Sequence, residues 1–171
     1  ATANVLSESN VGAIFTHGDP NSENYNSVMG LDFRYQNTRF SEQHTLRGNA
    51  WYQQSKTDGL NGDDKAYGVQ GNLDTQNNGF GVFSNYTYIG EDFNPALGFV
   101  NNPGVRSLDL GGNARYFFKD NAMFRNMFSF MRYGYIERLD TGELQSQDWF
   151  WRMLNLSTHT GGQIGGGVFA N

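Results

Sequence analysis

Apolar residues recur at every second position through much of this chain. In "SVMGLDFRYQ", Met29, Leu31, Phe33 and Tyr35 fall on one face of an extended strand, and Val28, Gly30, Asp32, Arg34 and Gln36 on the other. "DKAYGVQGNLDT" sets Tyr67, Val69, Gly71 and Leu73 against Ala66, Gly68, Gln70, Asn72 and Asp74. "NGFGVFSNYTYIG" sets Phe80, Val82, Tyr86 and Tyr88 against Gly81, Asn85 and Thr87, with Phe83 out of place. "SLDLGGNARYF" sets Leu108, Leu110, Ala114 and Tyr116 against Asp109, Asn113 and Arg115. No window shows a convincing helical period.

Segments dense in Gly, Asn, Asp and Pro separate these windows: "HGDPNSEN", "QNTRFSEQ", "TDGLNGDDK", "TQNNG", "NNPG", "FKDN" and "LDTGE". Such residues accept positive φ or close Asx-turns. The pattern predicts strands over 10–17, 26–37, 45–56, 65–76, 79–90, 105–118, 123–138 and 145–159. The expected fold is all-β: an up-and-down antiparallel meander of about eight long strands in one domain over 1–171. Soluble strands usually hold about five or six residues, whereas a tilted strand crossing a bilayer needs about 9–11. Strand length therefore points to all or part of a transmembrane β-barrel.

Composition agrees with that class. The mean hydropathy of −0.61 looks too polar for a membrane protein, but a barrel needs apolar residues only at alternate positions. The polar faces mix glycine with charge, as in Gly30, Asp32 and Arg34. A wide, wet lumen tolerates such a mixture, so Asp32, Arg34, Arg47, Asp109, Arg115 and Arg132 are expected to be lumen charges. Tyr25, Phe40, Trp51, Tyr52, Tyr88, Phe93, Phe117, Phe118, Trp149, Phe150 and Trp151 crowd the strand ends and read as interfacial girdles. The net charge of −5 argues against a nucleic-acid partner, and the absence of cysteine excludes disulfides.

"ATANVLSESN" has neither the basic start nor the apolar core of a signal peptide. "GGQIGGGVFAN" ends without an aromatic closing strand, so the chain is expected to be a fragment. "GGQIGGG" reads as a flexible loop or a glycine-rich strand, since no P-loop Lys is present.

Candidate chemistry is sparse. His17, His44 and His159 show no ligand spacing. Asp58, Asn61, Asp63 and Asp64 gather oxygen ligands that suit Ca²⁺, but the spacing does not match an EF-hand loop and a solvated hairpin turn is the better account. Asp32, Asp74, Asp109 and Glu137 resemble a glycosidase carboxylate set. Lumen ion pairing with Arg34, Arg47, Arg115 and Arg132 is the better account. No cofactor or catalytic residue is expected.

"GEDFNPALGFVNNPGV" (Gly90–Val105) interrupts the alternation and holds Pro95 and Pro103. Proline cannot donate to a strand ladder. The segment is expected to form a rim or plug through Asp92, Phe93, Asn94, Pro95, Gly98 and Phe99, with Phe93, Leu97 and Phe99 folded onto the barrel mouth.

The runs "VGAIFTHGDP", "GLDFRYQNTRF", "AYGVQGNL" and "YTYIGEDFNPALGFVNNPGVRSL" together resemble a family of Gram-negative outer-membrane proteins. Those proteins join a module similar to family-nine carbohydrate-binding modules to a C-terminal barrel of unknown function. The resemblance implies residence in the outer membrane, contact with its lipid, and a structural or transport role linked to carbohydrate or a partner protein. It supplies no catalytic residues. The carbohydrate-binding-like module is absent from this sequence, and Asn101 stands where the family often has a basic residue.

Two other readings share the pattern. A soluble, self-associating β-protein, such as a surface-fibre subunit, would use the unpaired edges of an open meander. A secreted glycan-active enzyme would use the aromatics for stacking and the carboxylates for chemistry.

Overall fold

The computed structural model describes residues 1–20, 23–75, 77–100 and 102–171. Among these there are ten β-strands and no helix: β1 (Thr2–Val5), β2 (Ser9–His17), β3 (Asn26–Asn37), β4 (His44–Thr57), β5 (Lys65–Thr75), β6 (Gly79–Ile89), β7 (Val105–Phe117), β8 (Phe124–Arg138), β9 (Leu144–Thr158) and β10 (Gln163–Ala170). They form one antiparallel sheet in strict chain order. Asn101, where the family resemblance suggests a basic residue, lies outside the described residues.

The eight expected strands are all present, and two more flank them. β1 has only four residues, too few for a period-two pattern. β10 runs through Gly165–Gly167, where side chains that would show alternation are missing. With these two shorter strands the meander has ten strands among the described residues. The sheet is open: β1 and β10 are its edges, and neither pairs with the other.

The register fixes two faces. Phe33 pairs with Val11 and Ala50, Ala50 with Val69, Val69 with Tyr86, and Tyr86 with Leu108. One face is therefore apolar across all these strands. It is uncovered: Phe15, Met29, Leu31, Val69, Val82 and Met131 all lie exposed, Leu31 at 62%. Only Val28, Ala66, Phe93 and Val105 are buried apolar residues among those described. A water-soluble domain of this size would bury far more.

The two ends also differ. Connections 6–8, 38–43, 76–78, 118–123 and 159–162 hold three to six residues. Those at the other end, 18–25, 58–64, 90–104 and 139–143, hold five to fifteen. All four buried apolar residues lie at the long-connection end, where Ala66 pairs with Ile89 and Ile89 with Val105.

Candidate functional site

The polar face presents a continuous cross-strand row. Asn10 pairs with Arg34, Arg34 with Asn49, Asn49 with Gln70, Gln70 with Asn85, and Asn85 with Asp109. Asp109 pairs with Gly134, and Gly134 with Asp148. Arg132 spans the glycine. Its Nε donates to Asp109 at 2.8 Å and its Nη1 to Asp148 at 3.3 Å. Arg47 donates to Asp74 at 2.7 Å and 2.9 Å. Arg115 lies 5.4 Å from the Phe128 ring centroid, within cation–π range. Asp32 packs over Gly12, where an added Cβ would stand 2.3 Å from Oδ1. The six charges Asp32, Arg34, Arg47, Asp109, Arg115 and Arg132 thus share this face.

Glu137 does not. Val105 pairs with Arg138 and Arg106 with Glu137, which sets Glu137 on the apolar face beside Tyr135. There Arg106 Nη2 donates to both carboxylate oxygens at 2.7 Å and 2.9 Å, and Tyr135 Oη donates at 2.6 Å. Its expected place opposite the arginines of the polar face is corrected.

The aromatics also divide by face. Tyr52, Tyr67 and Tyr88 pair in register on the apolar face near the long-connection end, with Tyr67 stacked on Tyr88 at 4.8 Å. Trp149 and Trp151 share that face. Trp51 and Phe150, grouped with the girdles by sequence position, lie on the polar face. Phe83 is explained there. It lies over Gly111, where a Cβ would stand 2.3 Å from its Cζ, and it stacks on Phe130 at 6.2 Å. Phe130 meets Phe150 at 6.1 Å.

The connection 90–104 folds across the polar face at its end. Asn26, one of the largest fully buried side chains, clasps it. Asn26 Nδ2 donates to Asn94 O at 2.8 Å and to Thr57 Oγ1 at 2.7 Å, while its Oδ1 accepts from Ala96 N at 3.3 Å. Asn94 N donates to the buried Ser55 Oγ at 3.0 Å. Asp92 N donates to Asp63 O at 2.9 Å. These bonds seat Phe93 in the small apolar patch, 6% exposed. Gly98 N donates to Pro95 O at 2.7 Å, closing a tight turn. The expectation that Leu97 and Phe99 also fold inward is corrected: Leu97, within that turn, and Phe99, just after it, are both exposed, Phe99 at 85%.

The Ca²⁺ candidates do not converge. Asp58 accepts from Tyr25 N at 3.1 Å, Asp63 from the Tyr88 hydroxyl, and Asp64 from Gln54 Nε2 at 3.3 Å. No group of three or more acidic, His or Cys residues suits a metal among the described residues. His17 packs on Tyr25, His44 on Phe80, and His159 Nε2 lies 3.0 Å from Asn121 O, so the histidines sit in three separate places.

No protein-family model, curated protein or solved structure matches this chain.

Proposed function

We propose that the chain forms a wall of a transmembrane β-barrel in a bacterial outer membrane, with its apolar face toward lipid and its polar face toward a water-filled interior. The observation that carries this reading is the uncovered apolar face, where Leu31 and Val69 are 62% and 55% exposed in the middle of a ten-stranded sheet. Lipid removes the cost of that exposure; water does not. The tyrosine row of Tyr52, Tyr67 and Tyr88 suits an interface. From Arg106 to Tyr116 the apolar face of β7 runs about 33 Å, which at a barrel tilt of about 40° gives a band about 25 Å high. Longer connections at one end match the outward-facing loops of such barrels. The role is structural or transport-related, in keeping with the outer-membrane family that the chain resembles.

In a bilayer every backbone N–H and C=O needs a partner. The edges of β1 and β10 must therefore be paired, with each other or with further strands. The same open edges support a second reading, a self-associating surface-fibre subunit that adds strands edge to edge.

Tryptophan quenching by brominated lipid separates the two. The chain is reconstituted in vesicles with Trp151 or Trp51 as its sole tryptophan. The expected result is strong quenching of Trp151 and weak quenching of Trp51. Equal quenching, or detergent-free filaments that ignore vesicles, overturns the barrel reading.

A further inference from the structure

Aromatic rings lie down on the polar face at two places. Trp51 reaches across to β5, where a Cβ on Gly68 would stand 2.6 Å from Nε1 and 2.8 Å from Cε2. Phe83 reaches across to β7 over Gly111 and continues into Phe130 and Phe150. Glycine at 68 and 111 lets each ring rest on the backbone of the next strand, so a ring face is turned to the space above the wall. Between the platforms runs the row Asn49, Gln70 and Asn85, bracketed by the Trp51–Gly68 pair on one side and the Asn72–Phe83 pair on the other. Four residues along the strands and two strands across separate the platforms, on the order of 16 Å. The amides continue into a groove where Asn10, Asn49 and Asn72 are joined by Glu8, Arg34 and the paired Arg47 and Asp74.

The chemistry of this track is specific. Each amide offers a donor and an acceptor side by side. The electron-rich face of an aromatic ring attracts polarised C–H groups. Charge on the face is nearly balanced: Arg34, Arg47, Arg115, Arg132, Arg138 and Arg152 stand against Asp32, Asp74, Asp109 and Asp148, with Asp140 of the following connection paired to Arg138. Three of the arginines are already held by aspartates. A wall of this kind exerts little net pull on an ion and suits a neutral solute with alternating hydroxyls and apolar ring faces.

We infer that the polar face binds a neutral polyhydroxylated chain, an oligosaccharide. Its ring faces rest on Trp51 and Phe83, and its hydroxyls bond the Asn49–Gln70–Asn85 row. The inference rests on the barrel reading, which leaves this face open to water.

The test uses the full chain in detergent micelles with Trp149→Phe and Trp151→Phe, so that Trp51 alone reports. Maltohexaose, cellohexaose and chitohexaose are titrated separately, with polyethylene glycol of similar length as the control. The expected result is a saturable change in Trp51 emission with at least one sugar and none with the glycol. Phe83→Ala and Gln70→Ala each weaken that binding about tenfold, while Val69→Ala on the other face leaves it unchanged. If Phe83→Ala misfolds, Gln70→Ala carries the comparison. No saturable change with any sugar, or an equal change with the glycol, overturns the inference while leaving the barrel reading intact. Failure of Trp151 to be quenched by brominated lipid overturns the barrel reading and this inference with it.

Discussion

Val69 and Gln70 are neighbours on β5 and face opposite ways. Val69 joins a row of Phe33, Ala50, Tyr86 and Leu108; Gln70 joins Asn10, Arg34, Asn49 and Asn85. Both are exposed in the isolated sheet. The middle of the apolar face is uncovered among the described residues, with Leu31, Val69 and Val82 exposed. The polar face is organised by the protein itself, through Arg–Asp pairs, rings laid over glycines and the clasped connection 90–104. A soluble sheet shows the reverse, an apolar face that organises the core and a polar face left to water. The contrast is the one the proposed barrel wall requires, with lipid on one face and water on the other.

The clasped connection gives the largest expected effect, because it carries Phe93, the largest of the four buried apolar side chains among the described residues. Phe93→Ala removes its central ring and should cost about 3 kcal/mol. Phe99→Ala, on the exposed side of the same connection, should change stability by less than about 0.5 kcal/mol. Urea unfolding of the two variants in the same detergent checks this, and equal losses would break the division of the loop. The adjacent pair on β5 comes next. Val69→Arg should cost about 2–3 kcal/mol in lipid vesicles, as expected for a charge near the bilayer midplane. Gln70→Arg should fall within about 0.5 kcal/mol. If both are tolerated alike in vesicles, the apolar face does not meet lipid.

Much of this was legible in the chain. Period two exposed eight strands and both faces, because alternation survives wherever a strand is long and its side chains are large. Gly165–Gly167 left β10 open between a loop and a glycine-rich strand, and brevity hid β1. Face membership was lost where aromatics were counted by closeness to a strand end. Trp51 follows Ala50 and precedes Tyr52, so parity alone would have put it on the polar face. Phe83 was the visible signal of the ring track, since it broke the alternation. The fates of Phe93 and Phe99 could not be read. They depend on hydrogen bonds from Asn26 to Asn94 and Ala96, 68 and 70 residues away. In the Asp58–Asp64 turn the carboxylates accept from Tyr25, Tyr88 and Gln54, partners set by the neighbouring strands and not by spacing within the turn.

Glycines sharpen the same comparison at smaller cost. At Gly111 an added Cβ would meet Phe83 Cζ at 2.3 Å and the Met131 carbonyl oxygen at 2.5 Å. The ring could swing away, but the carbonyl belongs to the ladder. Gly111→Ala should cost about 1–2 kcal/mol and lift Phe83 off the wall. Gly71 lies on the apolar face with nothing within 4 Å of such a Cβ. Gly71→Ala should be neutral within about 0.5 kcal/mol. Thermal unfolding in detergent measures both, and a neutral Gly111→Ala would mean that the ring does not lie flat.

The smallest effect concerns the connections at the two ends of the sheet. At the short-connection end Glu8 accepts from Thr38 N and Thr38 Oγ1, both at 2.8 Å. The Thr38 amide, then its hydroxyl, hold the Glu8 carboxyl below its ordinary range. A carboxylate with a depressed folded pKa stabilises above its unfolded value and loses that contribution as pH falls through the folded one. The contact between connections 6–8 and 38–43 should therefore loosen on acidification below about pH 4.5, the ordinary value. At the long-connection end, Asp140 is brought down to about 2, first by Arg138. Its contact should persist to about pH 2. The Thr38 amide chemical shift, followed by NMR in micelles from neutral pH downward, reports the first event. Glu8→Gln should remove that titration and leave global unfolding unchanged, since these hydrogen bonds lie at the surface. A Thr38 shift that titrates unchanged in Glu8→Gln would assign the acid response to another carboxylate.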